Sequence, residues 1–85
     1  MNLTPEDIKT LHYACSELKY LELETIWGTL VVDLLYNCEG KEYSGFLECN
    51  VMQGLEKLPE GHRDATQIFS FRDIISLKLY TQSGG

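Results

Sequence analysis

This sequence has few positively charged residues and few residues that interrupt secondary structure. Seven lysines and arginines stand against 13 aspartates and glutamates, so the net charge is −6, and only 2 prolines occur among 85 residues. Phosphate backbones attract cations and repel carboxylates, so this shortage of bases disfavours direct binding of DNA or RNA. The charge favours encounter with a basic protein surface, although a net charge of this size also keeps many small domains soluble.

The acidic residues are concentrated in the first two thirds of the chain. Residues 1–56 hold 10 acids and 3 bases, a net charge of −7, whereas residues 57–85 hold 3 acids and 4 bases, a net charge of +1. An apolar content of 44% is typical of a folded domain rather than of a disordered acidic tail. At this length we expect a single domain over residues 1–82 and a flexible tail at 83–85.

The chain also lacks the cysteine pattern of a disulfide-stabilised or zinc-binding protein. Its three cysteines, Cys15, Cys38 and Cys49, are odd in number and widely spaced. No basic segment followed by an apolar one opens the sequence, and the apolar run at 30–32 is far shorter than the roughly 20 residues that span a bilayer. We therefore expect a cytoplasmic protein with reduced thiols, and we expect Cys15 and Cys49 to lie in the core.

Catalytic motifs are absent from the sequence. It contains no glycine-rich phosphate loop, no CxxC, no GxSxG and no HExxH. Of the two histidines, His12 and His62, the first lies three residues before Cys15, and no third residue completes a catalytic or metal-binding set. We predict a non-enzymatic protein with no cofactor and no bound metal. The alternative is a small thiol-based enzyme or sensor that uses Cys15 or Cys38.

A helix is predicted to begin at residue 5. Thr4 is a suitable N-cap, Pro5 is a suitable first residue, and Asp7 lies where it completes a capping box. The helix is expected to span residues 5–17 and to present one apolar stripe to the core. The stripe consists of Ile8, Leu11, Cys15 and Leu18.

The rest of the chain shows the alternating and β-branched patterns of strands. Strands are predicted at 19–27, 29–36, 42–51, 66–71 and 75–81, with a turn at 37–40, a loop at 53–65 and a corner at 72–74. Because closure removes exposed strand edges, this order favours a small closed or partly closed β-barrel of five strands with the helix across one open end. The predicted fold class is α+β or mainly β, and an open α+β sheet is the alternative.

Five acids near these elements are the candidate partner-binding residues. Glu22 and Glu24 share one face of a predicted strand, as either a solvated face or part of a docking patch. Glu6 and Asp7 lie where the helix dipole favours an acid, whereas Glu17 lies where the dipole disfavours one. We predict that the chain is a monomer that binds a protein with a basic surface. Four aromatic rings near these acids suit stacking on lysine or arginine of such a partner, with packing in the barrel as the alternative and as the favoured interpretation for Trp27. They are those of Tyr13, Tyr20, Trp27 and Tyr43.

Residues 7–28 resemble the start of the Rof family (also called YaeO), which are small acidic inhibitors of the transcription terminator Rho. The matching positions, on the helix, the following Leu-x-Leu strand and a glycine turn, are Asp7, Leu11, Ala14, Cys15, Leu21, Leu23 and Gly28. A weaker similarity covers residues 69–77, which correspond to the family's closing strand, corner and strand. Residues 29–65 do not align with the family.

The resemblance implies an Sm-like barrel that binds the RNA-binding domain of Rho through acidic residues and blocks RNA loading. Asp7 is the acid that matches the family by position, whereas the other candidates come from the charge pattern: Glu6, Glu17, Glu22 and Glu24. A rival interpretation is an Sm-like oligomer that binds RNA through a pore or rim. Its contacts would come from the basic end of the chain: Lys57, Arg63, Arg72 and Lys78.

Overall fold

The helix begins where the capping residues predict. A computed structural model describes residues 2–35 and 45–81, and in it helix α1 spans Pro5–Ser16. The Asp7 N–H donates to Thr4 Oγ1 at 3.1 Å, and the Thr4 N–H donates to Asp7 Oδ2 at 3.0 Å. Both bonds of the capping box are therefore formed, and each satisfies a backbone donor that the helix itself leaves unpaired.

The apolar stripe of the helix is shorter than predicted. Leu11 and Ala14 are buried, and Cys15 packs against the core from a partly buried position. Leu18 is 84% exposed, so its assignment to the stripe is wrong. The helix ends at Ser16, and Leu18 takes a left-handed backbone with φ of 53°, which turns its side chain away from the core.

Five antiparallel strands form one sheet. They are β1 (Leu21–Thr25), β2 (Gly28–Leu34), β3 (Phe46–Gln53), β4 (Thr66–Ser70) and β5 (Ile74–Leu79), in the order β4-β3-β2-β1-β5. Short 3₁₀ helices at Leu55–Lys57 and Phe71–Asp73 precede β4 and β5. The five predicted strands are thus present with shifted ends: β2 and β5 begin one residue earlier than predicted, and β3 extends to Gln53, which was predicted as loop. The predicted turn at 37–40 and tail at 83–85 lie outside the described residues.

The connection between β4 and β5 forces the sheet to coil. These strands lie at opposite edges, which in a flat sheet would be about 19 Å apart at roughly 4.8 Å per strand pair. The 3₁₀ helix Phe71–Asp73 that joins them rises only about 6 Å. The sheet must therefore curve so that the end of β4 and the start of β5 come close together.

The predicted helix and five-stranded α+β fold is confirmed, but the predicted barrel closure is not. Within the described ranges no ladder joins β4 to β5, so the sheet is open along this seam. The three-residue connection brings together only the adjacent ends of the two strands. It does not by itself hold their remaining lengths at pairing distance.

One face of the sheet and one face of the helix enclose the core. Cys49 is fully buried in this core, as predicted. Trp27 also packs against the core, and its ring centroid lies 6.1 Å from that of Phe69. Thr25 is a buried polar residue whose hydroxyl donates to the Gly28 carbonyl at 2.7 Å. The buried residues of the core are Leu11, Ala14, Leu21, Leu23, Leu30, Val32, Leu47, Cys49, Val51, Leu58, Phe69, Phe71, Ile74 and Leu77.

Candidate acidic docking surface

The charged residues of the strands all lie on the face of the sheet that points away from the core. Alternation explains this placement, because each charged residue stands between neighbours that pack against the core. Four of the five charged strand residues are acids and one is a base, a net charge of −3. They are Glu22, Glu24, Asp33, Glu48 and Lys78.

The four acids form a continuous line across three adjacent strands. Glu22 and Glu24 are two residues apart on β1. Glu22 pairs with Val31 and is therefore diagonal to Asp33 on β2. Asp33 pairs with Asn50 on β3 and is therefore diagonal to Glu48. The two diagonal steps are each expected to be about 7–8 Å, the usual distance between diagonal neighbours in a sheet, and the step along β1 about 7 Å.

We refer to these four residues, Glu22, Glu24, Asp33 and Glu48, as the acidic row. Glu22 and Glu24 each interact with another side chain of the molecule. Lys78 Nζ lies 3.1 Å from Glu22 Oε2 across the β1–β5 pair, and Thr29 Oγ1 donates to Glu24 Oε1 at 2.6 Å. The Glu22 side chain is 24% exposed and that of Lys78 is 71% exposed, so solvent screens the pair.

The helix acids lie apart from the acidic row. Asp7 is engaged in the capping box, and Glu6 Oε1 is 3.9 Å from Lys9 Nζ in an exposed pair. Glu17 is the exposed C-cap of the helix. Because α1 packs Leu11 and Ala14 into the core, Glu6 and Asp7 belong to a different side of the molecule from the outward face of the sheet. The structure thus joins only two of the five predicted acids, Glu22 and Glu24.

Asp33 and Glu48 are members of the row that were not predicted as site residues. The signal for Glu48 was available, because Leu47, Cys49 and Val51 alternate as core residues and leave Glu48 outward. Asp33 was harder to identify, because Val31 on the same outward face is also buried. The run around it therefore resembles a strand buried on both sides.

Two members of the acidic row affect the pKa of a cysteine in the core. Burial raises the pKa of the Cys49 thiol from 9.0 to about 12, and the negative charges of Asp33 and Glu48 add to the rise. A thiol with this pKa stays protonated at neutral pH and is a poor nucleophile. Cys49 is therefore unsuited to thiol chemistry. Cys15 is partly buried and forms no disulfide bond within the described residues, and Cys38 lies outside them.

A groove of about 330 Å³ adjoins the row at the start of β1. Its lining residues are Leu18, Lys19, Tyr20, Gln53 and Tyr80. Tyr20 stands two residues before Glu22, and the Tyr80 N–H donates to the Tyr20 carbonyl at 2.9 Å, which sets the two tyrosines side by side. Such rings beside a carboxylate suit the stacking of a lysine or arginine side chain. Tyr13 is exposed on the helix, and Tyr43 lies outside the described residues.

The basic residues of the C-terminal part are mostly engaged within the molecule. Lys57 Nζ donates to the Thr29 carbonyl at 3.0 Å. The Arg63 guanidinium donates to the carbonyls of Leu58 at 2.9 Å and Glu56 at 3.1 Å. Lys78 pairs with Glu22, and Arg72 is exposed in the 3₁₀ helix before β5. These four bases lie on four different segments of the chain.

Two further features of the described residues bear on function. In residues 2–35 and 45–81, no group of three or more His, Cys, Asp or Glu side chains is arranged to hold a metal ion. In the same part of the chain, no helix has both the length and the apolar character needed to cross a bilayer.

Comparison with known proteins gives no significant match for this chain, whether to a family model, to a curated protein sequence or to a solved structure.

Proposed function

We propose that this chain is a non-enzymatic protein-binding module that docks its acidic row onto the basic, nucleic-acid-binding surface of another protein. The observation that carries the proposal is the charge of the outward face, where four acids and one base account for every charge on the strands. A surface built to bind phosphates presents lysine and arginine, so a line of carboxylates competes with nucleic acid for the same side chains. The consequence is steric and electrostatic exclusion of nucleic acid from the partner.

The resemblance of residues 7–28 to the Rof family suggests which partner to test first. It points to the RNA-binding domain of the transcription terminator Rho, with the loss of RNA loading as the functional result. Asp7 is the acid that matches that family, and its role in the capping box is compatible with a further contact, since it is only partly buried. In this proposal the acidic row supplies the larger part of the charge that meets the partner.

The fold class belongs to the same proposal. An Sm-like assignment is supported by the N-terminal helix, by the order β4-β3-β2-β1-β5, and by the three-residue 3₁₀ connection between the two edge strands. In such a fold the outward face of the central strands is convex. A convex acidic surface suits insertion into a basic groove of the partner.

The rival, an RNA-binding oligomer, has less support from the side-chain interactions. Three of its four proposed contact residues already donate to or pair with groups of the same chain: Lys57, Arg63 and Lys78. Releasing them would break hydrogen bonds or an ion pair before RNA could be bound. Size-exclusion chromatography separates the two candidates, because a stable ring supports the oligomer and a monomer supports the docking module.

The test is a titration of the chain with the isolated RNA-binding domain of Rho, at low and high salt. We expect binding that weakens steeply with salt, together with displacement of a labelled RNA from Rho. Neutralising Glu22, Glu24, Asp33 and Glu48 together, as Gln or Asn variants, should lower both the affinity and the slope of its salt dependence.

A control for the loss of a single acid outside the row is Glu60→Gln, which changes the loop before β4 and leaves the row intact. This variant should bind as the unmodified chain does. Binding that is independent of salt, or that survives neutralisation of the row, would show that the acidic face is not the docking surface.

A further inference from the structure

Among the described residues, no strand pairs with the outer edge of β4. The inner edge of β4 forms a ladder with β3. Unpaired edges are usually protected by a lysine, a proline or a β-bulge. The other edge strand, β5, carries Lys78 and has a register shift opposite Glu24 and Thr25. By contrast β4 consists of Thr-Gln-Ile-Phe-Ser and carries no charge, and its Ile68 is 63% exposed.

The direction of the free backbone groups follows from two hydrogen bonds that flank β4. The Phe71 N–H donates to the Gly45 carbonyl at 3.0 Å, and the Val51 N–H donates to the Ala65 carbonyl at 2.7 Å. Positions 65 and 71 therefore face β3, and the positions between them alternate. The N–H groups that point to the open edge are those of Thr66, Ile68 and Ser70, and the C=O groups that do so are those of Thr66 and Ile68, because the Ser70 C=O accepts the first bond of the 3₁₀ helix Phe71–Asp73.

A cavity of about 260 Å³ lies directly against this edge. Three consecutive residues of β4 line it, which places it beside the strand's edge rather than on one face. The opposite wall comes from the β1–β2 turn and from the loop before β4. The lining residues are Trp27, Leu58, Pro59, His62, Gln67, Ile68 and Phe69.

We propose that this edge and this cavity together bind an extended peptide segment of another protein, which adds a strand to β4 and inserts one apolar side chain. The unpaired N–H and C=O groups call for a main chain in extended conformation. The apolar walls around Trp27 and Phe69 call for an aliphatic or aromatic side chain. An extended segment is the one class of occupant that meets both requirements at once.

Charge selects the kind of segment. The loop beside the cavity carries the exposed acids Glu60 and Asp64, whereas the Arg63 guanidinium in the same loop is bonded to the carbonyls of Leu58 and Glu56. The whole chain carries −6. A segment with lysine at its ends is therefore attracted, and a second copy of this acidic chain is repelled. This site is separate from the acidic row and does not depend on it.

A synthetic peptide tests the proposal on the full chain. The probe is acetyl-Lys-Thr-Val-Leu-Val-Thr-Lys-amide, and the readout is the fluorescence of Trp27, the single tryptophan of the sequence. We expect a saturable change in emission, because the tryptophan lines the cavity. In hydrogen exchange measured by NMR, the amides of Ile68 and Ser70 should become protected when the peptide is present.

Two controls isolate the strand-pairing step. A peptide of the same sequence with N-methyl groups on alternate residues keeps the side chains but removes the pairing donors, and it should bind about tenfold more weakly. Ile68→Pro removes an outward N–H at an edge position where proline is tolerated, whereas Ile68→Thr keeps that N–H. We expect the proline variant to lose binding by at least about tenfold relative to the threonine variant.

Three outcomes would overturn the proposal. The first is equal binding of the N-methylated peptide, which would mean that only the cavity recognises the ligand. The second is the absence of amide protection at Ile68 and Ser70 with the peptide at saturation, a measurement that remains valid if Ile68→Pro fails to fold. The third is self-association of the unmodified chain in sedimentation that Ile68→Pro abolishes, which would make a second copy the occupant of the edge.

Discussion

Strands β1 and β4 are both five residues long, but they differ in charge and in pairing. β1 carries Glu22 and Glu24 on its outward face and is paired on both sides, with β2 and with β5. β4 carries no charge and, of the strands that the structure describes, pairs only with β3. The sheet therefore offers two kinds of recognition, a charged surface at its centre and free backbone groups at its edge. The first is screened by salt, whereas the second depends on the peptide main chain.

The comparison can be tested first within β4, where the largest effect is expected. Phe69 is buried and packs near Trp27, whereas its neighbour Ile68 is mostly exposed. Phe69→Ala should lower the free energy of unfolding by about 3–5 kcal/mol, because it removes a buried aromatic side chain and leaves a cavity. Ile68→Ala should change it by less than about 0.5 kcal/mol. Urea titration measures both values, and equal losses would show that the two faces of β4 are not distinguished as described.

The pH dependence of stability tests the burial of Cys49 on the core-facing side of β3. Cys49 faces the core with a pKa of about 12, compared with 9.0 in an exposed thiol. Between these values the unfolded chain loses the thiol proton while the folded chain keeps it, so stability falls as the pH rises from about 9 to 12, by at most about 1.4 kcal/mol per pH unit. Cys49→Ala should abolish that component of the pH dependence. An unchanged profile in this variant would assign the effect to other groups.

In the turn between α1 and β1, one substitution is expected to raise the stability of the fold. Leu18 is exposed and has a left-handed backbone at the position after the helix C-cap, where glycine is usual. The Lys19 N–H donates to the Ala14 carbonyl at 2.9 Å and fixes that turn. Leu18→Gly should raise the free energy of unfolding by about 1 kcal/mol, because it relieves the strain of a Cβ in this conformation. Leu18→Ala keeps the Cβ and should have little effect in the same thermal or urea measurement.

The smallest effect is expected at the ion pair on β1. A double-mutant cycle with Glu22→Gln and Lys78→Met should give a coupling energy of about 0.2–1 kcal/mol, because the lysine side chain is largely exposed. The coupling should decrease further at high salt. A larger and salt-independent coupling would mean that the pair is structural, and Glu22 would then be a poor candidate for contact with a partner.

The helix start and the succession of five strands along the chain were accessible from the sequence because they rest on local chemistry, whereas the order of the strands in the sheet was not predicted. Thr4 and Asp7 cap the helix through groups three residues apart, so the pattern is visible without any tertiary contact. The end of the helix was less accessible. No glycine marks it, and Leu18 adopts the left-handed conformation that a glycine would have signalled.

The composition of the acidic row and the open seam depend on long-range register, which a single sequence does not specify. Asp33 meets Glu22 and Glu48 only through the pairing of β2 with its two neighbours. The failure of β4 to pair with β5 likewise depends on the path of the chain after Ser70. Strand alternation alone predicted the faces of β1 and β3, because a period of two needs no knowledge of the partner strand.

The pairing of β1 with β5 has a consequence for biosynthesis. β1 is the first strand to leave the ribosome and β5 the last, yet they lie side by side in the sheet. Until Ile74–Leu79 has been made, one edge of β1 stays unpaired, and Leu21 and Leu23 lack part of their apolar cover. The sheet therefore cannot form completely until β5 has been translated. A nascent chain that stalls before Ile74 keeps apolar surface exposed to chaperones and proteases.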